Sequence, residues 1–441
     1  MNLTIRSIIL FILCVLFHPV SFSIAERLDL NLNDCIDLSL KNNTQILLME
    51  QEKRMADKRI VEARAGALPK IKASGKYERI DESITFSGID IGNEDNFEVN
   101  LGLEQPFYVG GKVRSALKIA DIYKDYSEIG QRGAENQVVY KTKEGYYTIL
   151  FLRELVKIRQ ESVELLEEHL DITKKKFNVG LASNFEVLRA EVELANARPP
   201  LIKAKNQLTI AKDSFKRLLG LDYTANILLQ GELAYTDGGL FSLEESIEIA
   251  KNQHPDLKKQ KFVIDMNKEN LNIAKGGYKP QVFLYANYWG VAPQFGSSEI
   301  EWDWGWNAGV MAEIPIFEGF AVKSRVDQSS IEIKKAEISY DDLIEEVKLR
   351  VRSSLHEIQE AKERVLSQKK NVQQAMEGLR IAETRYKNEV SPQIEVMDAR
   401  VALTAAKVNY FQAVFDYKTA YAGFELAIGK VQQNQNEPGN S

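Results

Sequence analysis

The chain consists of two tandem copies of one segment, and this duplication constrains its fold more than any other feature. Glycines, prolines and segment breaks recur in the same order in both halves. Pro69 and Pro280 are 211 positions apart, whereas Pro106 and Pro315 are 209 positions apart, so the second copy has lost two residues between its prolines. A shared order of breaks at a fixed spacing is the signature of an internal repeat. We therefore expect two copies of one structural plan.

Each copy has the same predicted order of elements. A helix of about 30 residues is followed by a strand pair, a long helix, a short interruption and a return helix. The predicted boundaries are residues 26–220 for the first repeat, 221–242 for a linker, 243–430 for the second repeat and 431–441 for a flexible tail. Prolines suit these junctions because strand ends and helix starts do not need the missing N–H.

The long helix of the second copy carries an apolar residue at every seventh position. These residues are Ile344, Val351, Ile358, Val365, Val372, Leu379 and Tyr386, and the first copy has Ile149, Val156, Val163, Leu170 and Phe177. A heptad repeat of this length predicts a coiled-coil seam. Since a helix rises 1.5 Å per residue, roughly 65 residues would span about 100 Å. In the first return helix, Arg198-Pro199-Pro200 replaces Lys407-Val408-Asn409, which predicts a kink or a split there.

The segments between the prolines alternate between apolar and polar residues. Phe97 begins one such segment, and Trp304 and Trp306 lie in another, while the pattern around Phe283 is weaker. Alternation over about 10 residues with aromatic ends suits a membrane β-barrel, but a soluble hairpin that covers a helix bundle remains an alternative. Four strands cannot close a barrel, for which about 8 are needed. If they enter a membrane, several chains must share one barrel, because an open sheet edge is not tolerated in lipid.

The first 25 residues have the layout of a secretory signal peptide. Arg6 precedes an apolar core, and Ser23-Ile24-Ala25 resembles a cleavage site; an uncleaved anchor is the alternative. We do not expect lipidation at Cys14, because large residues precede it. After cleavage only Cys35 remains, so no internal disulfide can form.

Composition and motifs indicate neither nucleic-acid binding nor catalysis. The formal net charge is −6, and no basic cluster is present. His169, His254 and His356 are isolated, and no metal-ligand spacing, phosphate-binding loop or nucleophile motif occurs. We expect no enzyme activity, no cofactor and no metal, with single surface histidines.

The signal peptide, the tandem halves, the strand pairs and the long helices together resemble the TolC-type outer-membrane efflux proteins. The resemblance extends from about Leu28 to Lys430, and its most specific parts are VGLASNFEVLRAEVELANAR, which begins at Val179, and SPQIEVMDARVAL, which begins at Ser391. It implies a mainly α fold with a β-barrel part, made of coiled-coil helices plus four membrane strands per chain, assembled as a homotrimer in outer-membrane lipid. It also implies a passive duct for efflux or type I secretion, which docks with a periplasmic adaptor and an inner-membrane transporter.

The resemblance also assigns roles to the two helical turns. Val179, Gly180, Leu181 and Ser183 match the turn that adaptor hairpins engage, whereas Glu389 replaces the glycine in the second copy. Glu395 and Asp398 match the acidic rings near the narrow end of the tunnel, and their spacing places both on one helix face. Arg189 stands where Asp398 stands in the other copy, so a contact between Glu186 and Arg189 could hold the tip closed.

Two other classes of protein are weighed against the duct. An exported coiled-coil structural or adhesive protein without a pore would share the long helices. A periplasmic adaptor would carry one hairpin with further modules, rather than a duplicated strand–helix plan. The alternating strand pairs distinguish the duct from the first of these alternatives.

Overall fold

The computed structural model describes residues 27–81, 84–86, 89–91, 95–239, 241–292, 302–388 and 390–430. The predicted signal peptide, the tail 431–441 and Glu389 lie outside the described residues. The first half contains β1 (Leu28–Leu30), α1 (Leu32–Asn42), α2 (Thr44–Ala65), β2 (Lys70–Arg79), β3 (Ile84–Phe86), β4 (Ile89–Ile91), β5 (Asp95–Val109), α3 (Lys112–Asn178) and α4 (Asn184–Leu218). The remainder contains β6 (Ile227–Leu229), α5 (Leu243–Gln253), α6 (Pro255–Lys275), a 3-10 turn (Gly276–Tyr278), β7 (Gln281–Ala292), β8 (Asp303–Glu313), α7 (Ala321–Lys387) and α8 (Gln393–Ala427).

The first helix of each half is two helices, so the prediction of one helix of about 30 residues is wrong. Asn43 and His254 have extended backbones and separate α1 from α2 and α5 from α6. The Asn43 side chain accepts a hydrogen bond from the Gln45 N–H, and the His254 ring accepts one from the Asp256 N–H. Side-chain capping therefore begins a new helix at a point where the pattern of apolar residues alone predicts that the first helix continues.

The ends of the return helices, α4 and α8, pack against these two breaks. Gly220 and Gly429 follow α4 and α8 with positive φ of 68° and 72°. A Cβ at Gly220 would lie 2.7 Å from the Asn42 carbonyl oxygen, and one at Gly429 would lie 2.6 Å from the His254 Cα. Glycine is required at both ends for its conformation and for this close approach.

The long helices agree with the heptad prediction. α3 and α7 each contain 67 residues, and α4 and α8 each contain 35. Val351, Ile358 and Val365 are buried, as a seam that packs against a neighbouring helix requires. The largest buried side chains of the central core, Phe215, Tyr417 and Phe424 among them, come from both halves.

The proline pair does not split the return helix of the first half. α4 is continuous through Pro199 and Pro200, which corrects the prediction of a split. Both prolines are exposed. Carbonyl groups that lose their N–H partners on an exposed face can bind water instead, so the helix can continue.

One antiparallel sheet of four strands joins the halves in the order β2-β5-β7-β8. The pairing β5–β7 links the first half to the second, and Leu101 lies opposite Tyr288. β2 and β8 are the two edges of this sheet. β1 pairs in parallel with β6, and β3 pairs with β4. No helix in the described ranges is long and apolar enough to cross a membrane.

Candidate functional site

The turn between α3 and α4 is closed by a backbone motif that needs glycine. Gly180 has a φ of +77°, and the Leu181 N–H donates to the Lys176 carbonyl at 2.8 Å. This bond spans the turn as in a Schellman motif. A Cβ at Gly180 would meet nothing within 4 Å, and the side chains of Val179 and Leu181 are largely exposed. The turn is therefore open to contact from outside.

Ser183 and Glu186 form a capping box at the start of α4. The Ser183 hydroxyl accepts from the Glu186 N–H at 3.3 Å, and the Glu186 carboxylate accepts from the Ser183 N–H at 2.6 Å. Arg189 instead donates to Glu193 at 3.2 Å. The predicted contact between Glu186 and Arg189 is therefore absent, because each side chain has a nearer partner.

An exposed apolar surface extends from this turn along α4. We call it the tip stripe, and it consists of Leu181, Phe185, Leu188 and Val192. Phe185, Leu188 and Val192 are spaced by three and four residues, which places them on one face of α4, and Leu181 lies in the turn that precedes this helix. At the matching position of the second copy, Met397 is buried whereas Leu188 is exposed. At this position the first tip therefore exposes an apolar side chain where the second tip buries one.

The second tip, between α7 and α8, closes in the same way. The Val390 N–H donates to the Arg385 carbonyl at 2.9 Å, as the Leu181 N–H does in the first tip. The Glu395 carboxylate lies 3.4 Å from the Arg385 guanidinium. Asp398, one turn further along α8, is exposed and borders a cleft of about 440 Å³ between α3, α4 and α8. The two predicted gate acids thus have different surroundings within one chain.

The two tips also contact each other, which the sequence did not predict. The Gln393 side-chain amide lies 2.6 Å from His169 Nε2, and Lys176 Nζ lies 3.1 Å from the Tyr386 hydroxyl. These residues line a cleft of about 340 Å³ between the tips. His169 is half-buried rather than on the open surface, and burial, followed by the Arg400 charge, lowers its pKa. The heptad repeat predicted that Tyr386 lies on the coiled-coil seam, but no sequence pattern predicted the contact between His169 and Gln393.

The register of the sheet assigns the predicted strand aromatics to faces. Trp304 lies opposite Gly290 and Trp306 opposite Tyr288, on the same face as Phe97. Tyr77 stacks on Phe97 with 4.7 Å between ring centroids. This face carries most of the apolar residues of the four strands.

Phe283 belongs to the other face, so it does not join the other three predicted aromatics. It lies opposite Pro106 and Met311. Its face is otherwise mostly polar, with Lys72, Asn100, Asn287, Asp303 and Glu313 among its residues. The weaker alternation around Phe283 has a structural reason, because β7 places aromatic side chains on both faces.

No cluster of three or more potential metal ligands occurs among the described residues.

Comparisons with known proteins agree with this architecture. The model of the family "Outer membrane efflux protein" matches residues 35–221 and 246–430. The outer membrane protein TolC of Escherichia coli is 22% identical over 403 residues, which cover 89% of this chain and 80% of TolC. The toluene efflux pump outer membrane protein TtgC of Pseudomonas putida is 24% identical over 386 residues, which cover 85% of this chain and 78% of TtgC.

Solved structures show the same fold. The CmeC outer membrane channel of Campylobacter jejuni superposes on this chain with a TM-score of 0.75 at 19% identity. The superposition covers 92% of this chain and 87% of the CmeC chain. The open state of the MtrE outer membrane channel of Neisseria gonorrhoeae superposes with a TM-score of 0.74 at 18% identity, and the superposition covers 90% of this chain and 89% of the MtrE chain.

Proposed function

The chain belongs to the outer membrane efflux protein family, and from this membership we propose that it forms the passive exit duct of a tripartite efflux pump or a type I secretion system. The observation that carries the proposal is the four-stranded sheet, which has one apolar face and two unpaired edges, joined to helical hairpins about 100 Å long. An outer-membrane location with a tunnel in the periplasm is common to this family.

The unpaired edges of the sheet support a homotrimer. β2 and β8 have a neighbour on one side only in the described sheet. They run antiparallel to each other, so β8 of one copy can pair with β2 of the next in the same sense as the pairs within the chain. Four strands are too few for a barrel, which needs about 8. Three copies supply twelve strands, leave no edge in lipid, and place the polar face around a wet interior.

The first tip is the proposed docking site for a periplasmic adaptor. Val179, Gly180, Leu181 and Ser183 form an open turn, and the tip stripe continues it along α4. A helical hairpin with apolar residues at heptad spacing could pack against such a stripe. The energy for transport would come from an inner-membrane transporter coupled through that adaptor.

The second tip is the proposed gate. In a trimer, Glu395 and Asp398 of three chains would form two rings of carboxylates around the axis. Such rings attract cations and narrow the opening. The contact of Glu395 with Arg385 and the contacts of His169 and Lys176 with the second hairpin would hold α8 in the closed position.

Conductance in planar lipid bilayers tests the duct directly. We expect a small conductance from the unaltered trimer and a several-fold larger one from the variant with Glu395→Ala and Asp398→Ala. The control is Asp342→Ala with Glu345→Ala, a pair of acids at the same spacing on α7 far from the tip, which should leave the conductance unchanged. A trimer that conducts in neither the original nor the gate variant would contradict the proposal and favour a structural role.

A further inference from the structure

Three aromatic side chains of β7 lie on the polar face of the sheet. They are Phe283, Tyr285 and Trp289, and we call them the aromatic ladder. Residues two apart in a strand share a face, and a strand rises about 3.3 Å per residue, so the ladder extends about 20 Å along the strand. Each of the three side chains is partly exposed. A row of exposed rings on a face that is otherwise polar indicates a binding surface.

Glycines of β8 let two of these rings lie along the sheet. Gly305 is opposite Trp289, and Gly309 is opposite Tyr285. A Cβ at Gly305 would lie 2.6 Å from the Trp289 ring, and one at Gly309 would lie 2.9 Å from the Tyr285 hydroxyl. Glycine weakens the interior of a strand, so the space that the rings occupy explains its use at both positions. Each ring therefore covers the neighbouring strand with one side and leaves its other side open.

A ring also covers a glycine on the apolar face, where the surroundings are different. A Cβ at Gly290 would lie 2.8 Å from the Trp304 ring. In a membrane barrel the open side of Trp304 would contact lipid. The open sides of the aromatic ladder would instead face water in the interior, where exposed apolar area is unfavourable. Contact with lipid thus accounts for Trp304 but not for the ladder.

The charges beside the aromatic ladder are negative. β5 and β8 flank β7, and their charged residues on this face are all acidic, namely Glu98, Glu104, Asp303 and Glu313. Glu104 lies opposite Tyr285 and is exposed. The lysines of this face lie on β2, which β5 separates from the ladder, and they are Lys70, Lys72 and Lys76. Carboxylates beside open aromatic rings favour a cation, which the rings themselves also attract.

We propose that the aromatic ladder binds planar aromatic cations as they pass through the barrel. Stacking on a ring covers the open side of that ring, and the flanking carboxylates balance the charge of the ligand. Three rings in a row provide several weak sites, and this allows a ligand both to enter and to leave. Between Tyr285 and Trp289, the Asn287 amide donates to Asn307 at 3.0 Å. The inference rests on the proposed duct, because a closed barrel places this face around the path of the cargo.

Block of the ion current by ethidium tests the proposal in the assembled trimer. The measurement uses planar lipid bilayers and the variant with Glu395→Ala and Asp398→Ala, so that the carboxylates of the proposed gate do not bind the probe. Ethidium is a planar aromatic cation, and we expect it to lower the conductance reversibly. Tetraethylammonium has the same charge but no aromatic ring, so it should block only at a much higher concentration.

A change of one ring then locates the site. Trp289→Leu should raise the half-blocking concentration of ethidium by about tenfold, the loss expected when one stacking ring is removed. The matched control is Trp306→Leu, the same substitution on the apolar face, which should leave the half-blocking concentration unchanged.

The other outcomes overturn the inference. Equal block by ethidium and tetraethylammonium would attribute the effect to charge alone. Equal half-blocking concentrations in the two tryptophan variants would show that the Trp289 ring only covers Gly305. A trimer that conducts but is not blocked leaves the duct intact and removes only the binding of aromatic cations, whereas a trimer that does not conduct contradicts both proposals.

A second variant tests the charge without a change to the rings. Glu104→Gln keeps the size of the side chain and removes one carboxylate beside Tyr285, so the sheet should form as before. It should raise the half-blocking concentration of ethidium several-fold and lower that of naphthalene sulfonate, a planar aromatic anion. If neither concentration changes, the carboxylates do not select the charge of the ligand, and the assignment to aromatic cations is overturned.

Discussion

Lys143 and Glu425 form a buried ion pair that joins the two repeats. The Lys143 Nζ lies 2.6 Å from the Glu425 carboxylate, and the two side chains are 5% and 8% exposed. Lys143 lies on α3 of the first repeat and Glu425 on the last turn of α8 in the second. Burial raises the pKa of the Glu425 carboxyl, and the Lys143 charge opposes that rise. The Lys143 charge thus favours the ionised form of Glu425 inside the core.

The first prediction concerns the loss of one partner. Lys143→Met should lower the free energy of unfolding by about 3–5 kcal/mol, because a buried carboxylate then loses its counter-charge. Without Lys143, the folded-state pKa of Glu425 lies further above the unfolded value. Proton uptake then favours the folded state, so the variant should recover stability as the pH falls and lose it as the pH rises through the folded pKa. Denaturant unfolding at several pH values measures both effects.

The control is an ion pair at the surface. Lys124 lies 3.0 Å from Asp57, and both side chains are well exposed. Lys124→Met should lower the unfolding free energy far less than Lys143→Met does, because solvent screens an exposed pair. Equal losses for the two variants would contradict the structural role assigned to the buried pair.

The second prediction compares two glycines of one helix. A Cβ at Gly145 would lie 2.7 Å from the Phe215 ring, whereas one at Gly130 would meet nothing within 4 Å. Gly145→Ala should therefore destabilise the fold by about 1–3 kcal/mol, because the buried ring must shift. Gly130→Ala should stabilise it by about 0.5–1 kcal/mol, because alanine suits a helix interior better than glycine. Thermal unfolding of both variants gives the comparison, and a shift of the same sign in both would contradict the packing at Phe215.

The parts of the fold that follow from periodicity could be predicted from the sequence. The heptads predicted the long helices, and alternation predicted the strands, because each pattern reflects the face that one element buries. The internal repeat predicted the same order of elements in both halves. Gly180 predicted the first turn, since a left-handed residue there favours glycine.

The remaining features depend on contacts between elements that are distant in sequence. The pairing of His169 with Gln393 needs the two hairpins to be placed side by side. Phe283 lies on the opposite face from Phe97, Trp304 and Trp306, because the register of β7 decides its face. Glu186 and Arg189 have the spacing of a helical pair, but a capping box and Glu193 compete for the same groups. Local spacing alone does not decide between such partners.

The third prediction tests the proposed docking at the first tip. Leu181→Asp should reduce adaptor binding by tenfold or more, because a carboxylate in the tip stripe opposes apolar packing. The side chain is 77% exposed, so the fold should not change. Leu349→Asp, also at an exposed position but far along α7, is the matched control. Site-specific crosslinking to the adaptor measures binding, and native electrophoresis checks the trimer. If both variants crosslink equally to the adaptor, the tip stripe is not part of the docking site.

The last prediction concerns the pH dependence of the proposed gate. The pKa of His169 is lowered from 6.5 first by burial and then by Arg400, with Glu193 opposing and Lys176 adding to the effect. The folded chain therefore holds His169 neutral, with a ring nitrogen able to accept from the Gln393 amide. The stability that this contact contributes is complete above pH 6.5 and is lost as the pH falls through the lowered folded-state pKa.

Protonated His169 can no longer accept that hydrogen bond, and its charge would face Arg400 and Lys176. Conductance of the trimer should therefore rise as the pH is lowered from about 7.5 to about 5, within the range where a histidine titrates. His169→Gln removes the titrating group and keeps a side chain that can reach Gln393, so its conductance should depend less on pH. His356→Gln, at an exposed position on α7, should retain the full dependence. If His169→Gln and the unaltered trimer respond equally to acid, the contact with Gln393 does not control the gate.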